Sequence, residues 1–259
     1  KGTVILLFQP AEEAEHGGEK VVNTGMFEKY KIEKIFGLHT KQNMPVGTIA
    51  IAPGPFSAAV DRFLYTVKGM GCHGSAPQTG LDPIPAAARL VGSLQEIVSR
   101  RISPTETAVI SVTRFTSGTS WNIIPETARL EGTVRTFNPK VREQIVELMQ
   151  AQAEGLEREG YQVEFTWIPG CPATNNDANL AELVRKEAME EGFHVTLQHP
   201  EMGGEDFSCY QELVPGAFFH VGTGGKYPAH NSKFTVDPAA LLGASKLMSE
   251  IVKKALKAS

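Results

Sequence analysis

Long apolar runs alternate with amphipathic stretches at the start of the chain. Residues Gly2–Gln9 form an almost unbroken apolar run, which predicts a buried strand. A helix is expected over about residues 14–30, and strands are expected over Lys34–His39 and Thr48–Ala52. Apolar strands that alternate with helices are typical of a parallel sheet covered on both faces.

The middle of the chain instead shows the period-two alternation of half-buried strands. Arg62–Lys68 alternates in this way, and Asp82-Pro83 begins an amphipathic helix that extends to about Ser99. The same patterns predict strands over 108–116, 127–137 and 162–167, and a helix over 139–159. The order β-α-β-β-α-β is that of a ferredoxin-like unit, an antiparallel sheet with two helices on one face.

After this unit, the pattern of the first segment resumes. A helix is expected over Asn179–Glu191, a strand over Ala217–Val221 and a final helix over Pro238–Leu256. The fold class predicted is therefore α/β, with a parallel-sheet domain formed by residues 1–57 and 169–259 and interrupted by an inserted α+β domain, residues 58–168. A strand within the first few residues of a chain that begins with Lys1 also predicts that a segment precedes it in the natural protein.

The composition of the chain argues against several classes of function. The 259 residues carry a net charge of −4 and no run of lysine or arginine, which argues against a nucleic-acid partner. No apolar stretch approaches the roughly 20 residues needed to span a bilayer, so no membrane association is expected. The three cysteines, Cys72, Cys171 and Cys209, are few and unpatterned, which favours a reducing, cytoplasmic compartment.

Groups capable of binding a metal follow three of the predicted strands. Glu12 and Glu13 follow the first strand, His39 ends the second, and His230 comes after the strand Ala217–Val221. Ligands in open α/β sheets bind beyond the carboxyl ends of the strands. Two imidazoles and a carboxylate suit a divalent transition metal, and a second carboxylate beside them can move a proton. The alternative for the two glutamates is stabilisation of a helix N-terminus.

Two other motifs have competing interpretations. Gly69–Gly74 matches the dinucleotide-binding pattern G-x-G-x-x-G, but Pro77 and Gly80 follow it in a loop where that motif requires a helix. Glu205 and Asp206, in "MGGEDF", are interpreted as a turn with a capping acid. The remaining histidines are expected to be structural or to lie on the surface: His16, His194, His199 and His220.

Several motifs together resemble the metal-dependent aminoacylase and carboxypeptidase family. They are "FQPAEE" followed by "GG", "GLH", "GxxHGSAPQTGLDP", "NIIPETARLEGTVRTF", "MGGEDF", and "PGAFFHVGTGG" followed by "HNSKFTVDP". They occur in the family's order across essentially the whole chain. The resemblance is to the amidohydrolase branch, which contains N-acyl-amino-acid amidohydrolases, hippurate hydrolases and plant auxin-conjugate hydrolases.

The resemblance implies a role for each matching residue. Glu12 would be the general base, and Glu13, His39 and His230 would be ligands of two divalent metal ions, with zinc, manganese, cobalt and nickel not distinguished. The inserted module would be the lid and dimerisation domain of a homodimer. In that module His73 would stabilise the oxyanion in the partner subunit's site. Asn122 and Arg135 would hold the carbonyl or carboxylate of the substrate.

One family feature has no counterpart in this sequence. Family members carry a further cysteine and histidine ligand in a "CGHDGH"-like stretch upstream of "FQPAEE", and no segment here matches it. Roughly a third of a family member is therefore expected to be absent, leaving the hydrolase domain incomplete at its N-terminus. The sequence favours hydrolysis of the amide bond of N-acyl amino acids. The alternatives are a dipeptidase or carboxypeptidase of the same family and a non-catalytic dimerising scaffold.

Overall fold

The structure is a computed structural model that describes residues 2–13 and 17–257. The helices are α1 (Gly17–Val22), α2 (Met26–Lys29), α3 (Pro83–Glu96), α4 (Pro139–Arg158), α5 (Ala178–Glu190), α6 (Ser208–Gln211) and α7 (Pro238–Ala255). The strands are β1 (Ile35–Lys41), β2 (Thr48–Ile51), β3 (Gly54–Ser57), β4 (Ala59–Lys68), β5 (Cys72–His73), β6 (Ala108–Ser117), β7 (Ile123–Ile124), β8 (Thr127–Thr136), β9 (Gln162–Ile168), β10 (Thr174–Asn176), β11 (His194–Leu197) and β12 (Gly216–Gly222).

The chain divides into two compact units. The first contains the described residues of Lys1–Ser57 and Thr174–Ser259, and the second contains Ala58–Ala173. Among the residues that the structure describes, no helix combines the length and apolar character needed to cross a membrane.

The main sheet of the first unit is mixed rather than wholly parallel. Its strand order is β1-β12-β2-β11, with β1 parallel to β12, β11 parallel to β2, and β2 antiparallel to β12. A parallel connection needs a crossover of a dozen or more residues, whereas only residues 42–47 separate β1 from β2. The short connection therefore reverses β2 relative to β1.

Both faces of this sheet are packed, as the apolar strands predict. One face lies against α5 and α7, with Phe219, Val184 and Leu247 buried in that layer. The opposite face carries a smaller aromatic cluster that includes Phe218 and Tyr210. Because successive side chains of a strand point to opposite faces, residues 39, 41, 218 and 220 share the face of the aromatic cluster.

The predicted strand Gly2–Gln9 is wrong for this structure. The segment has no strand assignment, and no described strand pairs with it. Leu6 is 77% exposed and Phe8 is 88% exposed, so the run is not buried. An apolar run becomes a sheet strand only when another strand supplies hydrogen bonds along its edge.

The helix predicted over residues 14–30 is replaced by α1 and α2. Gly25 separates them with a φ of 70°, a left-handed conformation that interrupts a right-handed helix. The predicted first residues of this helix, Ala14 and Glu15, and the surface or structural role predicted for His16 lie outside the described residues.

The second unit contains one antiparallel sheet and two long helices. The sheet order is β6-β8-β4-β9, and the chain order is β4-α3-β6-β8-α4-β9. Side chains from α3 and α4, including Leu90, Leu94, Ile145 and Met149, are buried in the core of this unit. Asp82 and Asn138 cap the two helices by accepting the amides of Ile84 and Lys140. β6 forms one edge of the sheet.

Candidate functional site

Two histidines lie side by side on one face of the first unit's sheet. His39 in β1 is the register partner of His220 in the parallel strand β12. Their ring centroids are 6.2 Å apart in an edge-on arrangement. His39 is exposed, whereas His220 is only 8% exposed and packs on the ring of Phe56.

The hydrogen bond of His39 leaves one ring nitrogen available to a metal. Nδ1 of His39 lies 2.8 Å from the carbonyl oxygen of Thr40. Because a carbonyl only accepts, Nδ1 carries the proton and Nε2 keeps its lone pair in the neutral ring. Metal-binding histidines commonly have this arrangement, in which the second nitrogen donates to a fixed acceptor. His39 therefore fits the role of a ligand.

His220 is fixed as a neutral neighbour of His39. Its Nδ1 lies 2.9 Å from Oε1 of Gln198, whose Nε2 donates to the carbonyl of His199 at 2.6 Å. That second bond fixes the amide so that its oxygen faces His220. Burial, followed by the nearby positive charge of Lys41, lowers the pKa of His220 to about 4. Its burial and bonding agree with the structural role that the sequence predicts for it.

Glu12 and Glu13 lie in a turn before α1. Oε2 of Glu13 is 3.7 Å from Nε2 of His230, and both side chains are largely exposed. His230 lies at the tip of its own loop with a φ of 65°, which is uncommon for a residue with a side chain. The structure therefore brings two of the three predicted ligands into contact.

The electrostatic surroundings of Glu12 include other residues of the site. Burial, and then the negative charges of Asp206 and Glu13, raise the pKa of Glu12, while His39 and His230 act to lower it. The charges of Asp206, Glu13, His39 and His230 therefore all influence the Glu12 carboxylate. In this structure α1 begins at Gly17, so Glu12 precedes its first turn.

A second group of acids at this place was not predicted. Glu12, Glu205 and Asp206 each offer a carboxylate oxygen within 4.8 Å of the others, the one such group among the described residues. Burial, together with the negative charge of Glu12, raises the pKa of Glu205 to about 7, against the lowering effect of the hydrogen bond from the Phe207 amide. The turn predicted for "MGGEDF" is present, since Phe207 N donates to Oε1 of Glu205 at 3.2 Å. Its proximity to Glu12 was missed.

His73 and Asn122 are neighbours in the second unit. β5 and β7 pair so that His73 lies opposite Ile123, and the amide of Gly74 donates to the carbonyl of Asn122 at 2.9 Å. The amide of Ser75 donates to Nδ1 of His73 at 3.1 Å. Because an amide only donates, Nδ1 accepts, and the neutral ring carries its proton on Nε2. His73 thus presents an exposed N–H donor, the opposite tautomer to that of His39.

Arg135 lies in β8, between Val60 of β4 and Val109 of β6. It is half-buried, and its strand neighbours Val134 and Thr136 are buried on the helix-covered face. Arg135 therefore belongs to the open face of the second unit's sheet.

We expect Glu13→Gln to weaken metal binding in the full-length protein. An amide is a poorer ligand than a carboxylate, so affinity should fall by at least the roughly 10–100-fold that loss of an outer-shell partner costs. The affinity is measured by calorimetric titration of the metal-free protein with a divalent metal. Glu19→Gln, on the exposed surface of α1, is the matched control and should bind as the wild type does. Equal affinities in all three proteins would remove Glu13 from the ligand set.

Comparison with known proteins gives a consistent result. Residues 1–254 match peptidase family M20/M25/M40. The chain is 43% identical over 252 residues to an N-acetylcysteine deacetylase of Bacillus subtilis, covering 97% of this chain and 66% of the relative. It is 34% identical over 257 residues to an N-acetyldiaminopimelate deacetylase of Bacillus pumilus, covering 98% of this chain and 68% of the relative.

A solved structure shares the fold. It is that of a Bacillus subtilis protein described as a dinuclear metal binding peptidase from the M20 family. The TM-score is 0.82 at 39% identity, over 96% of this chain and 64% of that one. The chain therefore spans about two thirds of the length of the proteins it matches.

Proposed function

Because the chain belongs to peptidase family M20/M25/M40, we propose that the whole protein hydrolyses the amide bond of N-acyl amino acids, releasing a carboxylic acid and a free amino acid. The observation that carries the proposal is the cluster before α1, where Glu12 lies within 4.8 Å of Glu205 and Asp206 and Glu13 lies 3.7 Å from His230. Both deacetylases matched act, by their names, on N-acetylated amino acids.

The donor set fits a divalent metal centre. His39 offers an Nε2 lone pair, and Glu13 offers a carboxylate next to the second imidazole, that of His230. We propose these three as ligands to a two-metal centre, whose metals are not assigned. When bound, the metals would polarise the scissile carbonyl and make water more acidic.

Residues of the chain would carry out the proton transfers and stabilise the oxyanion. Glu12 would accept the proton of the attacking water and deliver it to the leaving nitrogen as the amide bond breaks. The Nε2–H of His73 would donate to the oxyanion that forms on the carbonyl oxygen. Asn122 and Arg135 are proposed to hold the substrate's carbonyl or carboxylate.

A substrate panel tests the proposal. The full-length, metal-loaded protein is given N-acetyl and N-benzoyl amino acids and, in parallel, dipeptides with the same C-terminal residue. The proposal expects kcat/KM to be higher for the acyl amino acids. A preference for dipeptides would favour the peptidase alternative, and no hydrolysis of either class would favour a non-catalytic scaffold.

We also propose that the second unit, as a lid and dimerisation domain, forms a homodimer. β6 is an edge strand that exposes Val109 and Phe115. On α3, Ala88 and Gly92 are exposed and small, which permits close approach of another helix. An edge strand with apolar side chains is a template for pairing with a second chain.

Sedimentation at micromolar concentration should therefore show a dimer. Replacing Val109 and Phe115 together by lysine should shift the protein towards monomer, because charged side chains oppose edge pairing. Ile168→Lys is the control, since Ile168 is 40% exposed on β9 at the opposite edge of the sheet. A folded wild-type monomer, or equal dissociation in the control, would contradict this interface.

A further inference from the structure

We infer that Asp206 is a positioning residue that holds the loop carrying Glu12 and Glu13 in its working conformation, an inference that rests on the proposed function. Asp206 is buried, with 4% of its surface exposed. A carboxylate removed from water is stable only if hydrogen bonds replace its hydration. The donors that reach its two oxygens belong to the segment that surrounds the two glutamates.

Asp206 binds both ends of this loop, defined here as residues 9–18. Nε2 of Gln9 donates to Oδ1 and Oδ2 at 2.9 and 2.8 Å. The backbone amide of Gly18 donates to Oδ2 at 2.8 Å. One side chain thus fixes the loop before and after Glu12 and Glu13, which lie between the two anchors in the sequence.

A second bond sets the orientation of the Gln9 amide. The hydroxyl of Tyr210 donates to Oε1 of Gln9, so its Nε2 must face Asp206. Tyr210 is itself buried and stacks on Phe27. The anchor is therefore tied to the aromatic cluster beneath the sheet and not to a surface side chain.

Close backbone contacts constrain the position of Gly17 and Gly18. A Cβ at Gly18 would lie 2.5 Å from the carbonyl oxygen of Asp206, and a Cβ at Gly17 would lie 1.8 Å from that of Pro10. Neither approach is available to a residue with a side chain. The two glycines that follow "FQPAEE" are thus explained by close backbone contact, and Ala11 completes the loop with a φ of 60°.

Glu205 and Asp206 both lie close to Glu12, with carboxylate oxygens within 4.8 Å of one another, but Asp206 also bonds Gln9 and Gly18 on either side of the two glutamates. Displacing the loop by about 1 Å would move the proposed base out of line with its substrate, which can cost about 100-fold in rate. Asp206 touches no reacting atom in this scheme. It determines the positions of Glu12 and Glu13.

An exchange of the amide and the carboxylate tests the inference. Gln9→Glu places two carboxylates face to face, so the loop should be released and kcat should fall by about 10–100-fold, with KM within about twofold. Adding Asp206→Asn reverses the pair. The new amide at position 206 then donates to the carboxylate introduced at position 9 and accepts from Gly18. Tyr210 keeps its acceptor, and the net charge equals that of the wild type. The double variant should recover most of kcat.

Two further variants separate positioning from general destabilisation. Gly18→Ala pushes the loop away from Asp206 without any change of charge and should also lower kcat. Gln211→Glu is the matched control: Gln211 is part-buried in the same unit and bridges Asn175 N and Gly216 O. It should lower the melting temperature but leave kcat unchanged.

Hydrogen–deuterium exchange of residues 9–18 provides a readout that needs no activity. Exchange should rise in Gln9→Glu, return to the wild-type level in the double variant and stay unchanged in Gln211→Glu. A double variant no more active and no better protected than Gln9→Glu, with Gly18→Ala at wild-type kcat, would overturn the inference. If the wild type hydrolysed no acyl amino acid, the proposed function would fail, while the exchange data would still decide whether Asp206 anchors the loop.

Discussion

Glu12→Gln is expected to abolish most of the proposed turnover of the full-length protein while leaving its metal content intact. The amide keeps the size of the side chain but cannot accept the proton of the attacking water. General acid–base catalysis contributes roughly 10²–10⁴-fold, so kcat should fall by about that factor. KM should change little, because the proposed substrate-binding residues are elsewhere. The measurements are steady-state kinetics on an N-acetyl amino acid and metal analysis of the purified variant.

The neighbouring variant provides the control. Glu13→Gln makes the same chemical change one residue away, on the side chain that contacts His230. It should lose metal affinity, and its activity should return at high metal concentration, whereas Glu12→Gln should not respond to added metal. Equal metal loss in both variants would contradict the division of roles between the two glutamates.

His73→Ala is expected to lower kcat by roughly 10²–10³, the usual cost of removing one oxyanion donor. The fold and metal content should be unchanged, because His73 is exposed and its ring bonds to Ser75, a near neighbour in its own loop. His73→Gln, which retains an N–H donor, should recover part of the loss. His194→Ala, at an exposed position on the edge strand β11, is the matched control and should retain wild-type kcat.

Mixing inactive subunits determines which subunit's site His73 serves. If it acts across the dimer, each mixed dimer of Glu12→Gln and His73→Ala subunits contains one intact site. Random exchange of equal amounts then restores about a quarter of the sites. No recovery after verified exchange would contradict action across the dimer and would be consistent with a role of His73 within its own chain.

The second unit was the more predictable from sequence. Strands β4, β8 and β9 alternate in burial, and the two long helices follow the caps Asp82 and Asn138. These signals are local, so the pattern along the chain contains them. In the first unit β1, β2 and β12 were predicted, whereas the short strands β3 and β10 were not. The reversal of β2 depends on connection length, and residues 2–9 depend on a pairing partner that the pattern does not reveal.

The site itself was only partly visible in the sequence. Glu13 and His230 were predicted from their motifs, and the structure brings them into contact. Asp206 was interpreted as a capping acid because its partners, Gln9 and Gly18, are 197 and 188 residues away along the chain. A short polar motif shows that a turn forms, but not which distant loop its side chain holds.

Metal-dependent release of amino acid tests the central claim most directly. The full-length protein is stripped of metal with a chelator, and hydrolysis of an N-acetyl amino acid is measured as a divalent metal is returned in known equivalents. The account predicts no turnover in the stripped protein and a rise that saturates near two equivalents per subunit, as expected for a two-metal centre. Hydrolysis that persists at the full rate without metal would contradict it.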